Sequence, residues 1–171
     1  MKTKRSKMLI TRDIPAFIAS AAAFLSPLLI GHPAEAVGII VNALIIFTAL
    51  RLGALRSVPV IILPVLGVLA RAVITGPFAP FLPLMAALAL AGNAVLVIVI
   101  RMASGDRMLG TATGIVAKAA FMSSASAALA GMGALPKPAL ATMGFFQLYT
   151  AAAGGAIILL AEECLRRYHS G

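Results

Sequence analysis

Five polar side chains interrupt the long apolar stretches of this sequence: Asn42, Arg71, Asn93, Lys118 and Gln147. Their types suit ligand binding better than bond-making. A guanidinium or an ammonium attracts carboxylate or phosphate, and primary amides both donate and accept hydrogen bonds. Lys118 falls about nine residues into its stretch, which at helical rise is roughly 13 Å deep, near the middle of a bilayer. A cation there costs about 3 kcal/mol or more. It is either a counter-charge for an anionic ligand or a lysine bonded to carbonyls or to Asn93 of a neighbouring helix; a lipid-facing lysine ranks third. Arg71, about one turn from the end of its stretch, reads first as an interfacial anchor or a partner for Glu35, with anion binding as the functional alternative. Asn42, Asn93 and Gln147 taken singly read as interhelical hydrogen bonders. Taken together, the five come from five apolar stretches and fall in the same half of the depth, while the other half is nearly plain aliphatic. That distribution fits a pocket open to the outside and closed beneath.

Chemistry beyond binding finds no support. There is no buried carboxylate pair, no Ser/His/Asp set, no HExxH and no Gly-rich phosphate loop, and all five acids lie at or beyond the ends of the apolar stretches. No catalytic residue is expected, and the chain is not read as an enzyme. The single cysteine, Cys164, has no ligand cluster around it, and His32 and His169 fall on opposite sides of the membrane. Neither a metal site nor a cofactor is expected.

The elements that must position these residues follow from composition. Of the 171 residues 61% are hydrophobic and 11% charged, a balance suited to hydrocarbon rather than water. Spans of about 20 apolar residues fall near 14–31, 36–52, 57–75, 82–102, 109–131 and 141–163. The expected fold is all-α: a compact bundle of six transmembrane helices over 14–163, between a basic tail at 1–13 and a second tail at 164–171. A basic start, the apolar run 16–30 and Ala34-Glu35-Ala36 also imitate a signal peptide with its cleavage site; a retained first helix is the reading taken. The net charge is +9, but its placement sets topology. Lys2, Lys4, Arg5, Lys7, Arg12, Arg51, Arg56, Arg101, Arg107, Arg166 and Arg167 lie on one side of the spans, against Lys137 on the other. By the positive-inside rule both termini are cytoplasmic in a multi-pass protein of the cell membrane. The bilayer is its medium, and no nucleic-acid partner is expected.

Local sequence adds detail. Pro15 opens the first span, Pro27 predicts a bend near its end, and Pro59 and Pro64 predict a kink in the third. Segment 76–83 holds three prolines and reads as a stiff loop whose Phe78 and Phe81 cover the pocket as a gate. Gly110, Gly114 and Lys118 share one helix face, as do Gln147, Ala151 and Gly155, with Gly154 beside them. Tyr149 and Thr150 are further candidates for the pocket lining.

Three stretches carry a family likeness: Ala19-Ser20-Ala21-Ala22-Ala23, an AxxxA pattern at Ala19 and Ala23; Gly76-Pro77-Phe78-Ala79-Pro80-Phe81 followed by Gly92-Asn93-Ala94; and Gln147-Leu148-Tyr149-Thr150-Ala151-Ala152-Ala153-Gly154-Gly155. With the six-span topology, the chain resembles the substrate-binding S components of energy-coupling factor (ECF) transporters. The resemblance implies a subunit for uptake of a vitamin-like micronutrient. It would dock through Ala19 and Ala23 on a transmembrane coupling subunit joined to ATPase subunits, and bind its small-molecule substrate among Asn42, Arg71, Asn93, Lys118 and Gln147. The two cations favour an anionic substrate. The alternative is a non-transport membrane subunit that anchors or assembles another complex. An independent carrier or channel comes last, for want of a buried acid to titrate.

Overall fold

The computed structural model describes residues 2–75, 80–103 and 105–170. Helix α1 (Lys2–Leu25) runs into a π-helical turn at Ser26–Ile30; α2 (Ala34–Arg51), α3 (Ala54–Thr75), α4 (Leu82–Met102), α5 (Arg107–Gly131), the short α6 (Ala139–Met143) and α7 (Phe145–Ser170) follow. Six segments are long and apolar enough to cross a bilayer: Asp13–Ile30, Ala34–Arg51, Ala54–Ile74, Leu82–Met102, Arg107–Gly131 and Ala139–Tyr168. The chain is thus an all-α, multi-pass membrane protein, the six-helix bundle its composition predicts, with no strand among the described residues.

Several boundaries differ from expectation. The backbone of the basic run is already helical from Lys2, because Lys, Arg, Met and Leu are good helix formers, so Pro15 lies inside α1 rather than at its start. At the other end α7 continues through the expected tail to Ser170. Pro27 loosens the end of the first span into the π-turn, as a residue without an N–H is prone to do. Gly31 then reverses the chain with φ +62°, a backbone conformation that favours glycine. Helix α3 accommodates Pro59 and Pro64 without interruption. The last span is two helices broken at Gly144, whose φ −103° and ψ −99° leave the helical region.

Helix α4 packs most closely on α5, α2 on α7, and α1 on α3. Without a hydrophobic drive between helices in lipid, close approach through small residues holds such a bundle together. Gly154 shows why: a Cβ there would meet Ala43 N at 2.7 Å and Ile39 O at 2.9 Å, so α7 lies directly on the backbone of α2. Gly110 and Gly114 bring α5 against the C-terminal half of α4 in the same way. The core between them is aliphatic: Ile45, Ile46, Ala49, Leu96, Val97, Ile100 and Ile115 are all buried. At one end of the bundle, Glu162 of α7 accepts from Arg51 of α2 and Arg107 of α5. Arg56 pairs with Asp13, and Arg101 reaches Ala49 O. This arginine-rich end is distinct from the end formed by Gly31, the C-terminus of α3 and the α6–α7 break.

Ala19 and Ala23 correct an expectation. They are 3% and 0% exposed and belong to the bundle's own core. The small-residue stripe is used to bring α1 close to α3, so these two alanines present no free docking face. Phe17 and Ile18, 75% and 60% exposed, carry the outward side of α1 instead.

Two glycines test this packing account. Gly154→Ala is expected to destabilise the protein by about 1–3 kcal/mol, the usual cost of overpacking, because backbone atoms of α2 cannot swing aside. Gly131→Ala, with nothing within 4 Å of the added Cβ, is expected to leave stability unchanged or raise it. Thermal unfolding in detergent reads both.

Candidate functional site

Lys118 is the largest fully buried side chain of the described residues, 2% exposed in the middle of α5. Its Nζ donates to Asn42 Oδ1 of α2 at 2.7 Å and to Asn93 Oδ1 of α4 at 2.8 Å. A lysine has no acceptor to offer, so the oxygens of both amides must face it. That orientation determines where the two NH₂ groups point. Asn42 Nδ2 donates to Gly38 O at 2.9 Å and to Thr150 Oγ1 of α7 at 3.2 Å. Thr150 Oγ1 in turn donates to Phe146 O at 3.0 Å. One polar chain therefore crosses α7, α2, α5 and α4. None of its members is a carboxylate.

Above this network lies a cavity of about 450 Å³ whose lining includes Asn42, Arg71, Asn93, Lys118 and Gln147. All five polar residues picked out by type and spacing thus border one space. The lining contains no Asp or Glu. Its walls are aliphatic, with Val41, Val65, Val68 and Ala89 among them, and it reaches Gly31 and His32 in the α1–α2 turn. Beneath the polar network the buried residues Ile45, Ile46, Leu96, Ile100 and Ile115 close the bundle toward the arginine-rich end. Arg71 donates through Nη1 to Leu28 O at 3.0 Å, and its guanidinium lies over Gly31, where a Cβ would fall 2.1 Å from Cζ. The arginine so ties α3 to the turn that borders the cavity. Volume and lining match the general pattern of small-molecule sites, apolar with a few convergent polar groups.

Other expectations fare differently. Phe78 lies outside the described residues. Phe81 stands at the N-terminus of α4 and packs on a second apolar cluster with Leu88, Met122, Leu135 and Met143. It does not line the cavity, because the turn into α4 directs it to α5 and α6, so no gating role follows from its position. Tyr149 is 51% exposed and points away, whereas Thr150 is fully buried behind Asn42. Sequence reasoning missed His32, Thr142 and Phe146 as lining residues. Thr142 and Phe146 enter because Gly144 breaks the last span beside the cavity, and Gly144 was the only available sign. Among the described residues there is no cluster of three or more His, Cys, Asp or Glu that could hold a metal ion.

A larger cavity of about 1060 Å³ opens at the arginine-rich end. Its charges are already spent on one another: Arg51 and Arg107 on Glu162, Arg166 on Glu163. Asp106 caps α5 by accepting from Met108 N and Leu109 N. This is a structural clamp, and the unbalanced charge of the bundle interior belongs to the Lys118 cavity.

The network predicts an order of losses. Asn42→Leu removes acceptor and donor together and is expected to cost about 1.5–3 kcal/mol, the range for a hydrogen bond to a charged group. Thr150→Val is expected to cost about 1 kcal/mol, the range for a neutral bond. Equal losses in thermal unfolding would contradict the central place given to Asn42. In comparisons with known proteins, the chain matches no family model, no curated protein and no solved structure.

Proposed function

We propose that the protein is the membrane-embedded, substrate-binding subunit of an uptake transporter for a small, anionic, micronutrient-like molecule, energised by a separate ATPase module. The observation that carries this reading is the meeting of Asn42, Arg71, Asn93, Lys118 and Gln147 on one cavity that contains two cations and no acid in its lining. A packed polar network has no need of such a space. An anion would supply the charge balance that the chain itself withholds from Lys118, and a buried ionisable group in a bilayer is a functional site by default. The aliphatic floor argues for a binder that cannot conduct alone, so passage would require a partner and a change of conformation. Positive-inside placement of the arginine-rich end turns the cavity outward, toward the side from which a nutrient arrives. The resemblance to S components of ECF transporters is consistent with this. Docking on a coupling subunit would then use exposed surface of α1 such as Phe17 and Ile18, since Ala19 and Ala23 are inside the bundle.

A second reading, a non-transport subunit that anchors another membrane complex, is favoured by one observation: Lys118 already has two amide partners within the bundle. The two readings separate on ligand binding. Purified protein is to be tested by thermal shift and calorimetry against vitamins, amino acids and small organic acids. The transporter reading predicts saturable binding of at least one anion, weakened about tenfold to a hundredfold by Lys118→Ala, and no flux in liposomes that contain this chain alone. Absence of binding throughout the panel, with Lys118→Ala altering stability only, would support the anchoring reading.

A further inference from the structure

We infer that the substrate's anionic group is a carboxylate, held by a two-donor fork made of Lys118 Nζ and Asn93 Nδ2, on an aliphatic body; this rests on the binding reading above. Two of the three ammonium protons of Lys118 are taken by Asn42 Oδ1 and Asn93 Oδ1. One donor remains. Because Asn93 must turn its oxygen to Lys118, its NH₂ group lies beside the ammonium as a second donor. Unlike that of Asn42, this NH₂ has no hydrogen-bond partner among the described residues, and Asn93 lines the cavity. A free N–H that borders the cavity beside a cation offers a place for an acceptor.

Two adjacent donors match the two oxygens of a carboxylate, one carrying charge and one neutral. A phosphate monoester would bring a third oxygen and more charge than one ammonium balances. Arg71 is committed to Leu28 O and stands toward the loop end, away from the fork. An amine is excluded by like charge, and a primary amide would supply only one acceptor atom. The walls around the fork, Val41, Val65, Val68 and Ala89, offer dispersion contacts and no acceptors, which calls for a hydrocarbon body. The fork therefore reads charge, and these walls read hydrocarbon beside it, while His32, Thr142 and Gln147 also line the cavity.

The test uses the full chain purified in detergent and four compounds of similar body: isocaproate, isocaproamide, isoamylamine and isoamylphosphonate. Isocaproate alone is expected to raise the unfolding midpoint saturably. Asn93→Leu is expected to abolish that response. Asn93→Asp is the sharper variant. It places a carboxylate next to Lys118 within the protein, so it is expected to abolish the response to isocaproate while the unliganded midpoint stays or rises. The inference is overturned if the amide, amine or phosphonate stabilises as well as the acid, if isocaproate still acts on Asn93→Asp, or if none of the four acts. Should one of these occur while another anion still binds and depends on Lys118, the carboxylate fork falls and the transporter reading stands.

Discussion

An ammonium in the middle of an apolar bundle, held by two amide oxygens and by no carboxylate, is the constraint on which the rest of this structure turns. Lys118 Nζ lies 2.7 Å from Asn42 Oδ1 and 2.8 Å from Asn93 Oδ1. Neutral acceptors solvate a cation but do not cancel it. The chain could have placed an acid there, yet its five acids lie toward the ends of the spans or outside them, and none lines the cavity. In the proposed function, an anion that enters the space above supplies the charge balance.

The helices deliver this arrangement by unequal packing at the two ends. Toward the arginine-rich end they close tightly, with Gly154 against the backbone of α2, Gly114 against α4, and Ile45, Ile46, Leu96 and Ile100 filling what remains. Glu162 fastens α2, α5 and α7 there. Toward the other end regular helix gives way at the π-turn over Ser26–Ile30, the reversal at Gly31 and the break at Gly144, and Pro27, Gly31, Thr142 and Phe146 from or beside these interruptions line the cavity. A sealed half and an open half follow from where glycine and proline interrupt or thin the helices. The same asymmetry gives the protein a floor and so argues for binding over conduction.

Much of this was legible in the sequence, and for a physical reason. Hydrocarbon tolerates few polar side chains, so Asn42, Arg71, Asn93, Lys118 and Gln147 stood out, and helical periodicity put Gly110, Gly114 and Lys118 on one buried face. What was not legible depended on which neighbour a face meets. Ala19 and Ala23 read equally well as an outward or an inward stripe, since small residues serve close packing within a chain and between chains alike; here they face inward. Phe81 lies close to the expected cover in sequence, but the turn into α4 sends it to a second cluster. His32, Thr142 and Phe146 reach the cavity only through the Gly31 reversal and the Gly144 break, which periodicity does not foresee.

Whether the bundle encloses one hollow accessible from a single side with a closed floor is read by cysteine accessibility in a Cys164→Ser background, since Cys164 is itself exposed. Single cysteines at Gln147, in the cavity lining, and at Ile45 and Leu96, in the floor, are to be labelled with a membrane-impermeant maleimide from each side of sealed vesicles. Gln147→Cys is expected to label from one side only, slowed by bound ligand, and Ile45→Cys and Leu96→Cys from neither. Reaction at Ile45 or Leu96, or an inert Gln147→Cys, would contradict such a hollow.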